Sequence, residues 1–187
     1  MNDDTRIVLI GGGARSGKSA FALSLARRLG TRRAFIATAQ ALDEEMKERI
    51  ANHARTRGTD FQTVEEPLAL AERLLDLRDI DVVVIDCLTL WLSNLLLRDR
   101  SETRILEQVH TLVGVLERRA FHTVIVTNEV GMGVVPETSL GRAFRDVAGR
   151  THQRLAGVAD EIYLAILGLI LRIQPEPVSV RTLGSPL

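Results

Sequence analysis

A single cysteine, Cys87, stands in a chain of 187 residues. One thiol excludes an internal disulfide and a cysteine-rich zinc cage, and its position just after a strongly apolar run marks it as a buried core group. Neither sign of charge dominates: 24 Lys and Arg balance 24 Asp and Glu. That balance leaves no basic stripe for nucleic acid and no acidic solvating tail, so a small-molecule partner is expected. Long apolar runs are missing too. The longest, Ile162 to Leu171, is about half of what a membrane-spanning helix needs; no membrane span is expected, and the run reads as buried strand, or as two strands meeting near Gly168. The N-terminus carries Asp3 and Asp4 and an apolar stretch too short for a signal peptide, so a cytoplasmic location is expected. No Pro/Ser/Gly-rich linker or repeat divides the chain, and residues 1–187 are expected to form one domain with a peripheral tail from about 174.

Against these absences stands one strong motif. Residues 12–19 read Gly-Gly-Ala-Arg-Ser-Gly-Lys-Ser, directly after the apolar run Ile7-Val8-Leu9-Ile10. This fits the phosphate-loop template G-x-x-x-x-G-K-[ST] in the required strand, loop and helix context. Gly12, Gly13 and Gly17 let the backbone turn sharply and approach a ligand. The N–H groups of Ala14, Arg15 and Ser16 belong to the same cradle, which ends at a helix N-terminus that favours anions. Lys18 is expected to reach the β and γ phosphates and Ser19 to ligate Mg²⁺.

Short β-branched runs alternate with segments of helical period, the pattern of parallel βαβ units. Strands are expected near 6–11, 33–37, 61–64, 81–86, 122–127 and 160–167, with an edge strand at Val178–Val180 before a frayed end. Helices are expected over 18–29, 43–57, 67–78, 88–97, 102–120 and 139–157. The fold class is therefore α/β: a mostly parallel sheet flanked by helices, with an antiparallel C-terminal edge.

In such a sheet, catalytic groups gather at the carboxyl ends of the parallel strands. The run Asp81-Val82-Val83-Val84-Ile85-Asp86 ends there in an acid, which suits Asp86 to hold Mg²⁺ and also suits it to cap the helix that follows. The next strand runs into Asn128-Glu129-Val130-Gly131-Met132-Gly133-Val134-Val135-Pro136. Glu129 can accept a substrate hydroxyl proton, help hold Mg²⁺ through water, or simply be solvated. Met132, Val134 and Val135 offer either an apolar substrate surface or loop packing. Arg142, Arg145 and Arg150 can bind phosphate or form structural ion pairs.

Taken together, residues 12–19, Ala37-Thr38-Ala39-Gln40, Arg49-Ile50 with His53, Asn128 to Pro136, and Phe144-Arg145-Asp146-Val147-Ala148-Gly149-Arg150 with Gln153 resemble the bifunctional adenosylcobinamide kinase/adenosylcobinamide-phosphate guanylyltransferase family. The resemblance runs from the first strand to about residue 168. It implies a RecA-like fold, a homotrimer, and a cytoplasmic enzyme of cobalamin biosynthesis that uses Mg²⁺ with ATP and GTP as substrates. Members phosphorylate the aminopropanol hydroxyl of adenosylcobinamide, then transfer GMP from GTP to the adenosylcobinamide phosphate through a GMP-histidine.

By that resemblance His53 is the nucleophile, although Asn52 stands where some relatives carry a second histidine. Thr38, Ala39, Ala54, Arg55, Thr56, Arg57, Glu65 and Asp86 would line the nucleotide site. A neutral imidazole suits the attack, since it is nucleophilic near neutral pH and forms an N–P bond weak enough to pass GMP onward. Residue spacing alone leaves another role open, because Met46, Ile50 and His53 share one helical face and His53 can pack there. Glu65 can accept the N1–H and N2–H of guanine, hold a ribose hydroxyl, or be solvated. Attack at two different phosphorus atoms over one phosphate loop leads to the expectation that helix 43–57 moves between the two reactions. The competing readings are a small-molecule kinase without guanylyltransferase activity and, further off, a nucleotide-switched binding module.

Overall fold

Alternate residues of each central strand go to opposite faces of the sheet, and this period of two divides the interior into two cores. In the computed structural model, which describes residues 5–41, 43–175 and 179–182, the first strand, β1, is Ile7–Gly12. Its Ile7 and Leu9 enter one core, and its Val8 and Ile10 enter the other. The remaining parallel strands are β2 (Arg33–Ala37), β3 (Gln62–Glu65), β4 (Val82–Asp86), β5 (His122–Val126) and β6 (Glu161–Ile166). Two further strands, β7 (Leu169–Gln174) and β8 (Ser179–Thr182), run antiparallel at the end. The sheet order is β3-β2-β4-β5-β1-β6-β7-β8. One strand, β5, separates β1 from β4, the RecA-like spacing between the phosphate-loop strand and the strand ending in Asp86.

The helices are α1 (Lys18–Leu29), α2 (Glu44–Arg57), α3 (Leu70–Asp76), α4 (Leu88–Arg98), α5 (Glu102–Leu116) and α6 (Ser139–Ala156). On one face of the sheet, α1 contributes Phe21, Ala22, Leu25 and Ala26. The other face is covered by α3 to α6, and α4 is the most deeply enclosed. Its Leu88, Trp91, Leu92, Leu95 and Leu96 are all buried, each contributing about 1.5–3 kcal/mol relative to exposure. The Trp91 indole N–H donates to Leu68 O at 2.8 Å, so the largest core side chain leaves no polar atom unmatched.

Several expected boundaries shift for local reasons. Helix α3 begins at Leu70 rather than 67, because Glu66 Oε1 accepts from the N–H groups of Leu68 and Ala69 and holds them in a turn. Helix α5 stops at Leu116 rather than 120, where the chain turns through Arg119 at φ 50°. The run 162–171 is a hairpin, β6 to β7, turning at Leu167 and Gly168, both with positive φ. The expected edge strand is present as β8 and closes the sheet by pairing with β7. Val178 and the end beyond Thr182 lie outside the described residues.

Arg119 also helps to secure β1. Its Nη1 donates to Thr5 O at 2.6 Å and to Asp160 Oδ2 at 2.9 Å, while the Ile7 N–H donates to Asp160 Oδ2 at 2.7 Å. Burial alone would raise the Asp160 carboxyl, but the hydrogen bonds from Arg119 and Ile7 outweigh it and hold the group below its ordinary value. The native state thus takes up this proton less readily than the unfolded chain. The stabilisation is present above the ordinary carboxylate range near pH ~4 and is lost as pH falls through the lowered native value. Asp160→Asn is expected to melt below wild type at pH 7, with the gap narrowing steadily below about pH 4. Thermal melts across that range check this, and a constant gap would contradict it.

Candidate active site

At the carboxyl ends of β1, β2 and β4 lies a cavity of about 450 Å³, within the range of small-ligand sites. The phosphate loop forms one wall. Gly12, at φ 153°, permits the entry turn, and a Cβ there would come within 2.5 Å of Ala165 O. Gly17, at φ 91°, occupies the N-cap position of α1, so the helix starts with its N–H groups toward the cavity. Ser16 Oγ is enclosed without a hydrogen-bond partner. Lys18 is only 7% exposed, and its Nζ donates to Gly13 O at 2.8 Å. Burial lowers its pKa, with Asp86 among the groups opposing that shift.

Asp86 comes up from the end of β4 into the same cavity, and the Ser19 hydroxyl hydrogen-bonds its carboxylate. Burial raises the Asp86 pKa, against Ser19, His53, Lys18 and Arg57. The alternative role of Asp86 as a helix cap does not hold. The N-cap of α4 is Cys87, with no side-chain cap bond.

The third wall is α2. Asp43 caps it by accepting from the Met46 N–H at 2.7 Å, acids occupy its first turn and arginines its last, so the helix is stabilised locally. Met46, Ile50 and His53 line the cavity together. The shared helical face thus faces the cavity, and packing and site roles coincide on it. His53 is 55% exposed in its side chain, with Nδ1 3.8 Å from Asp86 Oδ2. Arg57, at the end of the helix, is buried with its guanidinium 4.1 Å over the Phe35 ring, and it also lines the cavity.

Of the expected nucleotide residues, Ala14, Arg15, Ser16, Gly17, Lys18, Ser19, Ala39, Arg57 and Asp86 line this cavity. Gly12 and Gly13 form its entry turn. Thr38 lies beneath it, where its hydroxyl donates to Cys87 O at 2.7 Å and accepts from the Cys87 N–H at 2.8 Å. Ala54 and Arg55 are on the exposed side of α2, with Arg55 on Asn52, and the Thr56 side chain is outside the described set. Glu65 is exposed at the end of β3, close enough to Arg57 to influence it.

Glu129 does not line the cavity. Its N–H donates to Gly12 O at 3.1 Å, placing it beside the start of the phosphate loop, and its Oε1 accepts from the Gly131 N–H at 2.6 Å. The three arginines of α6 have structural partners. Arg142 donates to the carbonyls of Pro136 and Glu137, Arg145 lies 3.8 Å from Asp146, and Arg150 lies 3.6 Å from Glu102.

Ala20, Phe35, Cys87 and Leu90 line the cavity without having been expected there, and Ala37 and Asn128 line it having been singled out only as parts of the family motifs. Asn128 directly follows β5 and so carried a positional signal. Cys87 was expected only as a core thiol; it is 5% exposed and does belong to the core, with burial raising its pKa, yet it also borders the cavity.

This combination of a phosphate loop, an acid on the strand beyond β5 and a histidine helix above both can be set beside known proteins. A family model described as cobinamide kinase / cobinamide phosphate guanyltransferase matches residues 8–173. The bifunctional adenosylcobalamin biosynthesis protein CobP of Pseudomonas aeruginosa is 42% identical over 170 residues, covering 90% of this chain and 98% of that protein. The corresponding CobU of Escherichia coli is 38% identical over 181 residues, covering 90% and 99%. Among solved structures, a KaiC-like protein of Pyrococcus horikoshii aligns with 96% of this chain and 79% of its own at TM-score 0.48 and 16% identity. With the match spanning β1 through β7 and nearly the whole of each relative, the chain belongs to the cobinamide kinase / cobinamide phosphate guanyltransferase family.

Proposed function

We propose that this protein phosphorylates the aminopropanol hydroxyl of adenosylcobinamide and then transfers GMP from GTP to the resulting phosphate, through a GMP adduct on His53. The observation that carries this reading is the position of His53 in the same cavity as Lys18, Ser19 and Asp86. Phosphorylation of the hydroxyl needs no nucleophilic side chain over the phosphate loop, whereas guanylyl transfer through the enzyme does.

In the first reaction the substrate hydroxyl oxygen attacks the γ-phosphorus, the β–γ bridging oxygen leaves with the nucleoside diphosphate, and Glu129 takes the hydroxyl proton. In the second, an imidazole nitrogen attacks the α-phosphorus of GTP and pyrophosphate leaves. With Nδ1 of His53 directed at Asp86, Nε2 is the nitrogen free to attack. The phosphate oxygen of the substrate then displaces it, breaking the N–P bond and returning the histidine. Lys18 and the loop N–H groups hold the phosphates in both reactions. Ser19 and Asp86 are hard oxygen donors already in contact, and this pair fits Mg²⁺. When bound, Mg²⁺ neutralises developing charge on the phosphate oxygens. Among the described residues no group of three or more His, Cys, Asp or Glu is gathered for a metal, so its remaining ligands would be phosphate oxygens and water.

Helix α2 is suited to move between the two reactions: Met46 and Ile50 on its inner face are only half-buried, unlike the buried face of α1. The reading also includes ATP and GTP as donors, a cytoplasmic location and a homotrimer, all resting on the family resemblance. The test is incubation with Mg²⁺ and GTP labelled at either the α or the γ phosphate, with one portion denatured to read the protein-bound label and a second, native portion chased with adenosylcobinamide phosphate. Acid-labile, alkali-stable label on the protein from α-labelled GTP alone, chased into adenosylcobinamide-GDP, is expected. A folded, GTP-binding protein that takes no label would instead establish the kinase-only reading.

A further inference from the structure

Beside the start of the phosphate loop, a second histidine stands between Thr127 and Glu129. His152 of α6 places Nε2 2.7 Å from Thr127 Oγ1 and Nδ1 3.8 Å from Glu129 Oε2. Thr127 is buried at the end of β5 and is anchored by its own N–H to Ile10 O at 2.9 Å. The ring is therefore held at Nε2 by a group fixed in the sheet, with its other nitrogen toward the carboxylate that borders Gly12. An ionised carboxylate opposite Nδ1 calls for a proton there. Nε2 is then the acceptor, and the Thr127 hydroxyl donates to it.

We propose that His152 is a positioning residue of the phosphoryl-transfer reaction, presenting Nδ1–H to Glu129 Oε2 while Thr127 fixes the ring's tautomer. The inference rests on the assignment of Glu129 as the base. Glu129 sits on a loop, residues 127–138, in which Val130 packs against the core while Met132, Val134 and Val135 are exposed. Among the described residues, its Oε1 is held by the Gly131 N–H, two residues along the same loop, and that bond does not orient the carboxylate relative to the sheet. His152, 3.8 Å from Oε2 and outside hydrogen-bond distance here, is the side chain placed to close on it from the sheet side, because α6 packs its Val147, Ala148, Thr151 and Leu155 into the interior. Burial lowers the His152 pKa, against the opposing effect of Glu129, which agrees with a neutral ring carrying one N–H.

The role requires a donor at the δ position and not an imidazole as such. Asparagine places an amide nitrogen close to where Nδ1 lies, whereas leucine fills the space without a donor. His152→Leu is expected to lower kinase kcat roughly 10- to 100-fold, with KM for ATP and for adenosylcobinamide within about twofold of wild type. GMP labelling of the protein is expected to stay within about twofold, since attack at the α-phosphorus does not use Glu129. His152→Asn is expected to restore most of the lost kinase rate. An unchanged kcat in His152→Leu, a parallel fall of both reactions with a lowered Tm, or a failure of asparagine to restore the rate would each overturn the proposal. Glu129→Gln separates this from the reading beneath it. If Glu129→Gln retains the kinase rate, the base assignment fails; if it loses the rate while His152→Leu does not, only the positioning role fails.

Discussion

Lys18→Ala is expected to abolish both phosphorylation of the hydroxyl and guanylylation of the enzyme, while the protein remains folded. The Lys18 ammonium is buried, its pKa is lowered by that burial, and its Nζ donates to Gly13 O within the loop itself. A cation held this way gains most when a polyphosphate arrives, so nearly all of its stabilisation is realised on the ligand and little on the fold. Loss of such a contact to transferring phosphate costs on the order of 10³-fold or more in kcat/KM, about 4 kcal/mol. Asp86, the buried carboxylate that Lys18 faces, keeps Ser19, His53 and Arg57 around it when the ammonium is removed, so the fold is expected to survive the loss. The measurement is both half-reactions under identical conditions, with Tm as the folding control. If the variant loses the kinase yet labels with α-phosphate at the wild-type rate, the two reactions use different nucleotide sites, and the single-cavity reading is wrong.

The parts of this site that were legible in the sequence are those in which a residue's neighbours along the chain determine its surroundings. The phosphate loop is contiguous, and Asp86 is announced by four apolar residues that can only be a strand in the sheet interior. The hairpin of β6 and β7 was foreshadowed by Gly168, which adopts the positive φ that the turn requires. Periodicity likewise put Met46, Ile50 and His53 on one face of α2. It could not say what that face meets, because the cavity is assembled from loops after β1, β2 and β4 that lie far apart in the sequence. The same limit hid His152. Its partners Thr127 and Glu129 lie about two dozen residues away, and a histidine within an amphipathic helix carries no mark of what lies across from it. Cap identity was also beyond reach. Aspartate is the better capping residue by type, yet the helix begins one residue later and leaves Asp86 free to face the loop.

His53→Ala is expected to separate the two activities, removing acid-labile label from α-labelled GTP by about 10³-fold or more and leaving the kinase rate within about threefold. The side chain is more than half exposed on a helix that its own cap and terminal charges support. Alanine is the better helix former, so lost folding does not explain a lost activity. The 3.8 Å approach of Nδ1 to Asp86 sets up the one serious alternative. If His53 serves only to hold Asp86 in place, the substitution disturbs the carboxylate needed for both reactions, and kinase and guanylyl transfer fall together. A selective loss of labelling therefore distinguishes a nucleophile from a brace. It also bears on α2, because attack at the α-phosphorus needs Nε2 to reach along the nucleotide past the β and γ phosphates, whereas hydroxyl phosphorylation needs that approach left open. A helix whose middle meets the interior through half-buried Met46 and Ile50, and whose end is anchored by buried Arg57 over Phe35, can satisfy both by swinging about that end. A shift that draws His53 toward the α-phosphorus with GTP in place is the structural counterpart of selective loss in His53→Ala. A helix found in one fixed position with His53 remote from that phosphorus, with and without GTP, would rule it out.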